Sequence, residues 1–282
     1  MTAPRLHAIL ARNAPFSVVF RRGPSKQVAV YGWNTKDDSF ELGQWLKGRI
    51  YERRADLSPD GKYMIYFAMN GKWKDEMGGS WTAISRAPYL TALHLYGWGD
   101  CWNGGGLFTS NTRYWVNGAG LSTLPVKSVP CDLSRQDTPP ERVTPMRGED
   151  PTVYFPKLQR DGWELVEPQS GKARNIAVFR KPIRAHWTIE KTFHARMNAG
   201  PNRQSYWETH RLISREGILD CPDWEWAEVE GCDIVFAKEG AIWRMRIHAK
   251  QADTARLLCD FTDMSFEQKE APYYGVEKGG VS

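Results

Sequence analysis

The sequence predicts an all-β fold built from several small sheets. Three observations carry that expectation. Helical periodicity is poor along nearly the whole chain of 282 residues. Seventeen Pro and 25 Gly cut it into short apolar runs, the pattern of many short strands. Thirteen Trp, eleven Tyr and eleven Phe favour pleated surfaces, which bury flat rings well. The length suits one large all-β domain, and a single domain over residues 1–282 is expected.

The elements follow in order. "FSVVF" (Phe16–Phe20) and "QVAVYGW" (Gln27–Trp33) read as the opening strands. Tyr63–Met69, Trp81–Ser85, Thr91–Tyr96, Leu107–Thr109 and Tyr114–Asn117 continue the pattern, although "YLTALHLYGW" also fits a short helix. Leu124–Pro151 breaks it with six prolines and reads as a long loop, a linker or a partner-binding insertion. Strands resume at Trp163–Glu167, Ile176–Arg180 and Trp187–Thr192, with a weaker candidate at Thr209–Ser214. Ile234–Ala237, Ala241–Ile247 and Ala255–Phe261 complete the set, and the tail from 273 to 282 reads as frayed. In "DWEWAEVEG", Trp224 and Trp226 should share one strand face and Glu225 the other.

The strands group into repeats. "LSPDGKYMIYFAMNGKW", "LQRDGWELVEPQSGK" and "AEVEGCDIVFAKEGAIW" each place an acidic-Gly turn before an apolar strand. Glycine suits such turns because it adopts positive φ at no steric cost. With a turn at Asn111 and another around 23–25, five units of roughly 40–70 residues emerge, the period of propeller blades. A lone blade cannot cover both of its faces, whereas a ring of blades can. The stretch "LSPDGKYMIYFA" (Leu57–Ala68) resembles the repeat of TolB-type and WD-like β-propellers, in which a Ser-Pro-Asp-Gly turn precedes Lys or Arg and an apolar strand. The other units keep only part of it, and none has a Gly-His start with a Trp-Asp end. The resemblance implies a β-propeller, five-bladed by the count of units, and no particular chemistry.

Familiar catalytic signatures are missing: there is no Walker loop, GxGxxG, GxSxG or HExxH. The six histidines lie in no metal-ligand spacing and read as structural. A glycosidase would need carboxylates converging on the ring axis. Asp56, Asp100, Asp161, Glu208, Asp223 and Asp260 are available, but nothing in the sequence pairs them. No catalytic residue, metal or cofactor is therefore expected. Five widely spaced cysteines with no CxxC read as small buried residues in a reducing compartment. With no apolar leader or span, a cytoplasmic protein away from membranes is expected.

Binding is the remaining expectation. "KGRIYERRADL" clusters Arg49, Arg53 and Arg54 beside Tyr51, and Trp73, Trp81, Arg86 and Tyr89 follow downstream. "GWGDCWNGGGLF" adds Trp98 and Trp102, whose rings suit stacking. These nine residues are the expected binding surface of a scaffold propeller, with another protein as partner. The alternative is a carbohydrate-active propeller, lectin or hydrolase, holding its ligand in the central channel. Nucleic acid fits less well, because the net charge is only +5 and no RNA motif is present. Residues 1–219 carry +11 and residues 220–282 carry −6. Pairing of these halves on ring closure predicts extra stability at low salt.

Overall fold

The computed structural model describes residues 3–23, 26–118, 127–129, 131–141, 146, 148–167, 175–196 and 204–273. The fold is all-β, and the described residues form five sheets. The first is a meander of β1 (Arg5–Leu10), β2 (Phe16–Arg22), β3 (Gln27–Asn34) and β4 (Ser39–Lys47). The second runs through β5 (Arg49–Leu57), β6 (Tyr63–Met69), β7 (Ser80–Arg86) and β8 (Ala92–Gly97). The third pairs β9 (Gly106–Phe108) with β10 (Arg113–Val116).

The proline-rich segment is more ordered than expected wherever it is described. β11 (Lys127–Ser128) extends the second sheet at β8, and β12 (Ser134–Gln136) joins β10 in parallel. Residues 119–126, 130, 142–145 and 147 lie outside the described residues, as does the expected frayed tail beyond Tyr273.

An unexpected helix follows, α1 (Pro151–Arg160). Its first proline suits a helix N-terminus, but Pro156 stands inside and removes a hydrogen bond. Packing overrides that cost. Phe155 meets Phe179 and Phe193 edge-on, with ring centroids 5.0 Å apart in both cases. Gly162 therefore follows a helix, and the strand expected after its turn begins at Glu164. The fourth sheet is β13 (Glu164–Glu167), β14 (Ile176–Arg184), β15 (Trp187–Ala195), β16 (Tyr206–Ser214) and β17 (Gly217–Cys221). The fifth is β18 (Trp226–Glu230), β19 (Asp233–Lys238), β20 (Ala241–Arg246) and β21 (Arg256–Asp260).

The family-like turn has a physical account. Ser58 N–H donates to Tyr63 O at 2.8 Å, and Tyr63 N–H donates to Ser58 Oγ at 2.9 Å. Asp60 accepts from Ser58 Oγ at 2.6 Å and from Lys62 N–H at 3.1 Å. Gly61 has φ +72°, and a Cβ there would stand 2.9 Å from Phe16 of the first sheet. Pro59 O accepts from Asn13 N–H at 2.8 Å. The motif thus shapes a hairpin and also docks it on the neighbouring sheet.

Apolar clusters join the sheets pairwise. Val18, Phe20 and Val30 pack with Leu57, Met64 and Tyr66, joining first to second. Ile65 and Phe67 pack with Phe108 and Tyr114, joining second to third. Leu107 and Trp115 meet Val153 of α1. Phe179, Phe193 and Leu212 pack with Phe155, Trp224, Ile234 and Phe236, joining α1, fourth and fifth. Tyr31 and Trp33 pack with Trp226, Val235 and Phe261, returning from the fifth sheet to the first. Trp224 and Trp226 therefore serve different clusters, because the strand begins only at Trp226. Cysteine burial also departs from expectation: all five are free thiols, and Cys221 alone is buried.

Candidate functional site

α1 is fastened to β5 along its length. At its start Asp150 accepts from Arg54 Nε at 2.9 Å. In the middle Lys157 Nζ donates to Ala55 O at 2.9 Å. At its end Arg160 grips Asp56 through two bonds of 2.6 and 2.9 Å, and also holds Asp161. Arg54 and Ala55 lie on a stretch of β5 released from pairing by an irregularity between Tyr51 and Asp56, and Asp56 resumes the pairing opposite Ile65. The release frees the Ala55 carbonyl for Lys157.

Tyr154 is the hub of what α1 carries. Lys157 Nζ, Lys191 Nζ and the Arg53 guanidinium lie 5.1, 5.6 and 5.9 Å from its ring centroid. Lys191 Nζ donates to its hydroxyl at 3.1 Å. The His7 ring of β1 stands 6.2 Å from Tyr154 and 6.1 Å from Trp226.

Behind Tyr154 is a charged group in an apolar wall. Lys191, Glu208 and His210 sit on the inner face of the fourth sheet, in register with Ile189, Phe193 and Leu212. Glu208 lies 3.7 Å from Lys191, 3.8 Å from Arg53 and 4.0 Å from His210. Burial pushes the Glu208 carboxyl up, but Lys191 and Arg53 outweigh it and hold the group at about 2. Burial, reinforced by Lys191, pulls His210 down to about 4. Among the described residues, Arg53 Nε and His210 Nε2 have no hydrogen-bond partner.

In front of Tyr154 opens a cavity of about 820 Å³. Its walls come from β1 and the loop after it, from α1, and from β18, with Lys181 and Lys191 reaching in from the fourth sheet. Burial, together with Lys157 and Arg53, pulls His7 well below the usual histidine range, so its imidazole is neutral. Burial also draws Lys157 down to about 8, against the pull of Asp56 and Asp161. The carboxylates at this end are engaged. Glu228 accepts from Lys181 Nζ at 2.8 Å and from Trp163 Nε1 at 3.0 Å. Asp161 is held by Arg160, and Glu230 pairs with Arg244 at 2.7 Å.

The expected binding residues separate into groups. Arg53 belongs to the charged group, and Arg54 is buried, bonding Asp150 and the carbonyls of Cys101 and Asn103. Trp81 packs against the core between the first two sheets, and Trp98 is buried with Nε1 donating to Thr82 Oγ1 at 2.7 Å. Arg86 and Tyr89 both contact the Tyr273 ring, at 5.1 and 6.1 Å. Arg49 is exposed at the start of β5. Trp73 and Trp102 are 53% and 67% exposed. Their loops touch, since a Cβ on Gly78 would lie 2.8 Å from Gly99 Cα.

Of the candidate carboxylates, Asp56 and Asp161 meet through Arg160, and Glu208 lies in the charged group. Asp100 shapes the Trp102 loop by accepting from Trp102 and Asn103 N–H, at 2.7 and 2.9 Å. Asp223 pairs with Lys238, and Asp260 with Thr262. Sequence reasoning missed His7, Tyr154, Lys157 and Lys191. Charged residues on an otherwise apolar strand face, at Lys191, Glu208 and His210, were the available signal. Among the described residues no cluster of His, Cys, Asp or Glu is placed to hold a metal, and no helix is long and apolar enough to cross a membrane. No family model and no curated protein matches this chain.

Proposed function

We propose that the five sheets are blades of a β-propeller, and that the chain is a non-catalytic binding module whose ligand enters the cavity at Tyr154. The pairwise clusters running from first sheet to fifth and back to the first support the ring. The cavity carries the functional reading. Its volume, about 820 Å³, falls in the roughly 300–1,000 Å³ range of small-molecule sites. Its mixed lining of His7, Tyr154 and Trp226 with lysines has the character of such a site. Binding is favoured over hydrolysis because the neighbouring carboxylates are tied to cations. Glu208, ionised down to about 2, cannot serve as a general acid near neutrality.

The test is mass spectrometry of gently purified protein. A small molecule released on denaturation is expected, and Val229→Trp, which fills the cavity wall, should abolish it. A chain free of any such molecule that also binds no small compound in solution would sink the reading.

A second reading, a protein partner on the opposite loops, rests on the two exposed indoles Trp73 and Trp102. Exposed Trp is enriched where proteins dock. Co-purification from the native host should then yield a partner that is lost in the Trp73→Ala/Trp102→Ala double variant. A chain emerging alone counts against it.

A further inference from the structure

We propose that the cavity is selective for a small organic anion, whose carboxylate or phosphate is gripped by Arg12, Lys157 and Lys191 while its body lies on Trp226. The inference deepens the cavity reading and rests on it. Three cations line the same cavity with hydrogen-bonding capacity to spare. An ammonium has three donors, yet Lys157 Nζ has Ala55 O as its one acceptor among the described residues. Lys191 Nζ has the Tyr154 hydroxyl at 3.1 Å, with Glu208 beyond at 3.7 Å. Among the described residues the exposed Arg12 donates through Nη2 to Phe108 O at 3.2 Å, using one of its five donors.

Apart from Glu208 beside Lys191, the acidic side chains at the cavity hold other partners. Glu228 is taken by Lys181 and Trp163, Asp161 by Arg160, and Glu230 by Arg244. A neutral ligand would leave the buried Lys157 with no carboxylate in contact, Lys191 with Glu208 at 3.7 Å, and the exposed Arg12 bonded to a carbonyl. An anion would complete their bonds in a site where charge-assisted hydrogen bonds are strong. His7, held neutral between Tyr154 and Trp226, offers a hydrogen bond without competing for the anion.

Calorimetric titration of the full chain with phenyl phosphate, benzoate and the uncharged benzamide tests this. The phosphate and carboxylate arms show which head group is preferred. Saturable binding of at least one anion, tenfold or more tighter than benzamide, is expected. Lys157→Met and, at the cavity mouth, Arg12→Ala should each weaken it at least tenfold. Arg12→Ala keeps the test decisive if the buried lysine variant fails to fold. Benzamide binding as tightly as the anions, with Val229→Trp abolishing both, would overturn the anion inference and leave the cavity reading intact. Anion binding untouched by Lys157→Met and Arg12→Ala would place it elsewhere and overturn the inference too. Binding of none of the three would overturn the anion inference, and a purified chain carrying no small molecule would then remove the cavity reading as well.

Discussion

Glu208 sits where an apolar residue would ordinarily pack, and its charge is kept by Lys191 and Arg53. Removing one partner of a buried charge group leaves the others stranded, which costs about 3–5 kcal/mol. Glu208→Gln should therefore lower unfolding stability by about that amount in a denaturant titration. The same group sets the acid limb of stability. His210 has a folded pKa of about 4, below its ordinary value of about 6.5. The unfolded chain takes up that proton first, so stability falls as pH drops from about 6.5 to 4. His210→Gln should flatten this window and leave the loss from Glu208 below it, as read by unfolding across pH. Glu225 works with the opposite sign. Burial raises it to about 7, against the Leu6 N–H bond and Arg5. Its contribution is present at low pH and is lost as pH rises through about 7. Glu225→Gln should make the variant relatively more stable at pH 8 than at pH 5 when compared with the parent.

At the scale of elements, strands were legible and their special partners were not. Alternation and turn glycines mark β2, β3, β6 and β19 plainly. The Ser58–Gly61 turn was readable because its local hydrogen bonds depend on residue types alone. Its docking role should show in Gly61→Ala, where a left-handed residue costs about 1–2 kcal/mol and the new methyl crowds Phe16 at 2.9 Å. A lowered unfolding midpoint with an unchanged circular dichroism spectrum is the expected result. α1 was illegible because its sequence argues against it. Pro156 lies inside it, and its stability comes from Phe179, Phe193 and three fastenings to β5, all distant in sequence. The candidate site was missed for the same reason. Tyr154 and Lys157 acquire meaning only when α1 faces Lys191 and His7, from elements that no local pattern connects.

For the whole molecule, the first and fifth sheets meet through electrostatics of unexpected direction. The charge split suggests basic N-terminal residues pairing with acidic C-terminal ones. Glu225 does lie beside Arg5, accepting from Leu6 N–H at 3.0 Å. The direct pairs run the other way: Arg244 and Arg256 of the fifth sheet both grip Asp38 at 2.7 Å, and Lys269 reaches Glu41 at 3.1 Å. Net charge by segment could not reveal this, because a few well-placed side chains decide it. Asp38→Ala should lower stability by about 1–3 kcal/mol. It should also reduce the fall in unfolding midpoint when salt is raised from low ionic strength. The seam also bears on synthesis. The fifth sheet is the last made, and Phe261 covers Tyr31 and Phe40 of the first, at 5.1 and 5.6 Å. A ribosome adding roughly 5–20 residues per second needs on the order of ten seconds or more after making those rings before it supplies their lid. Throughout that delay the newborn polypeptide presents a greasy, aromatic flank to its surroundings, a natural landing place for a chaperone.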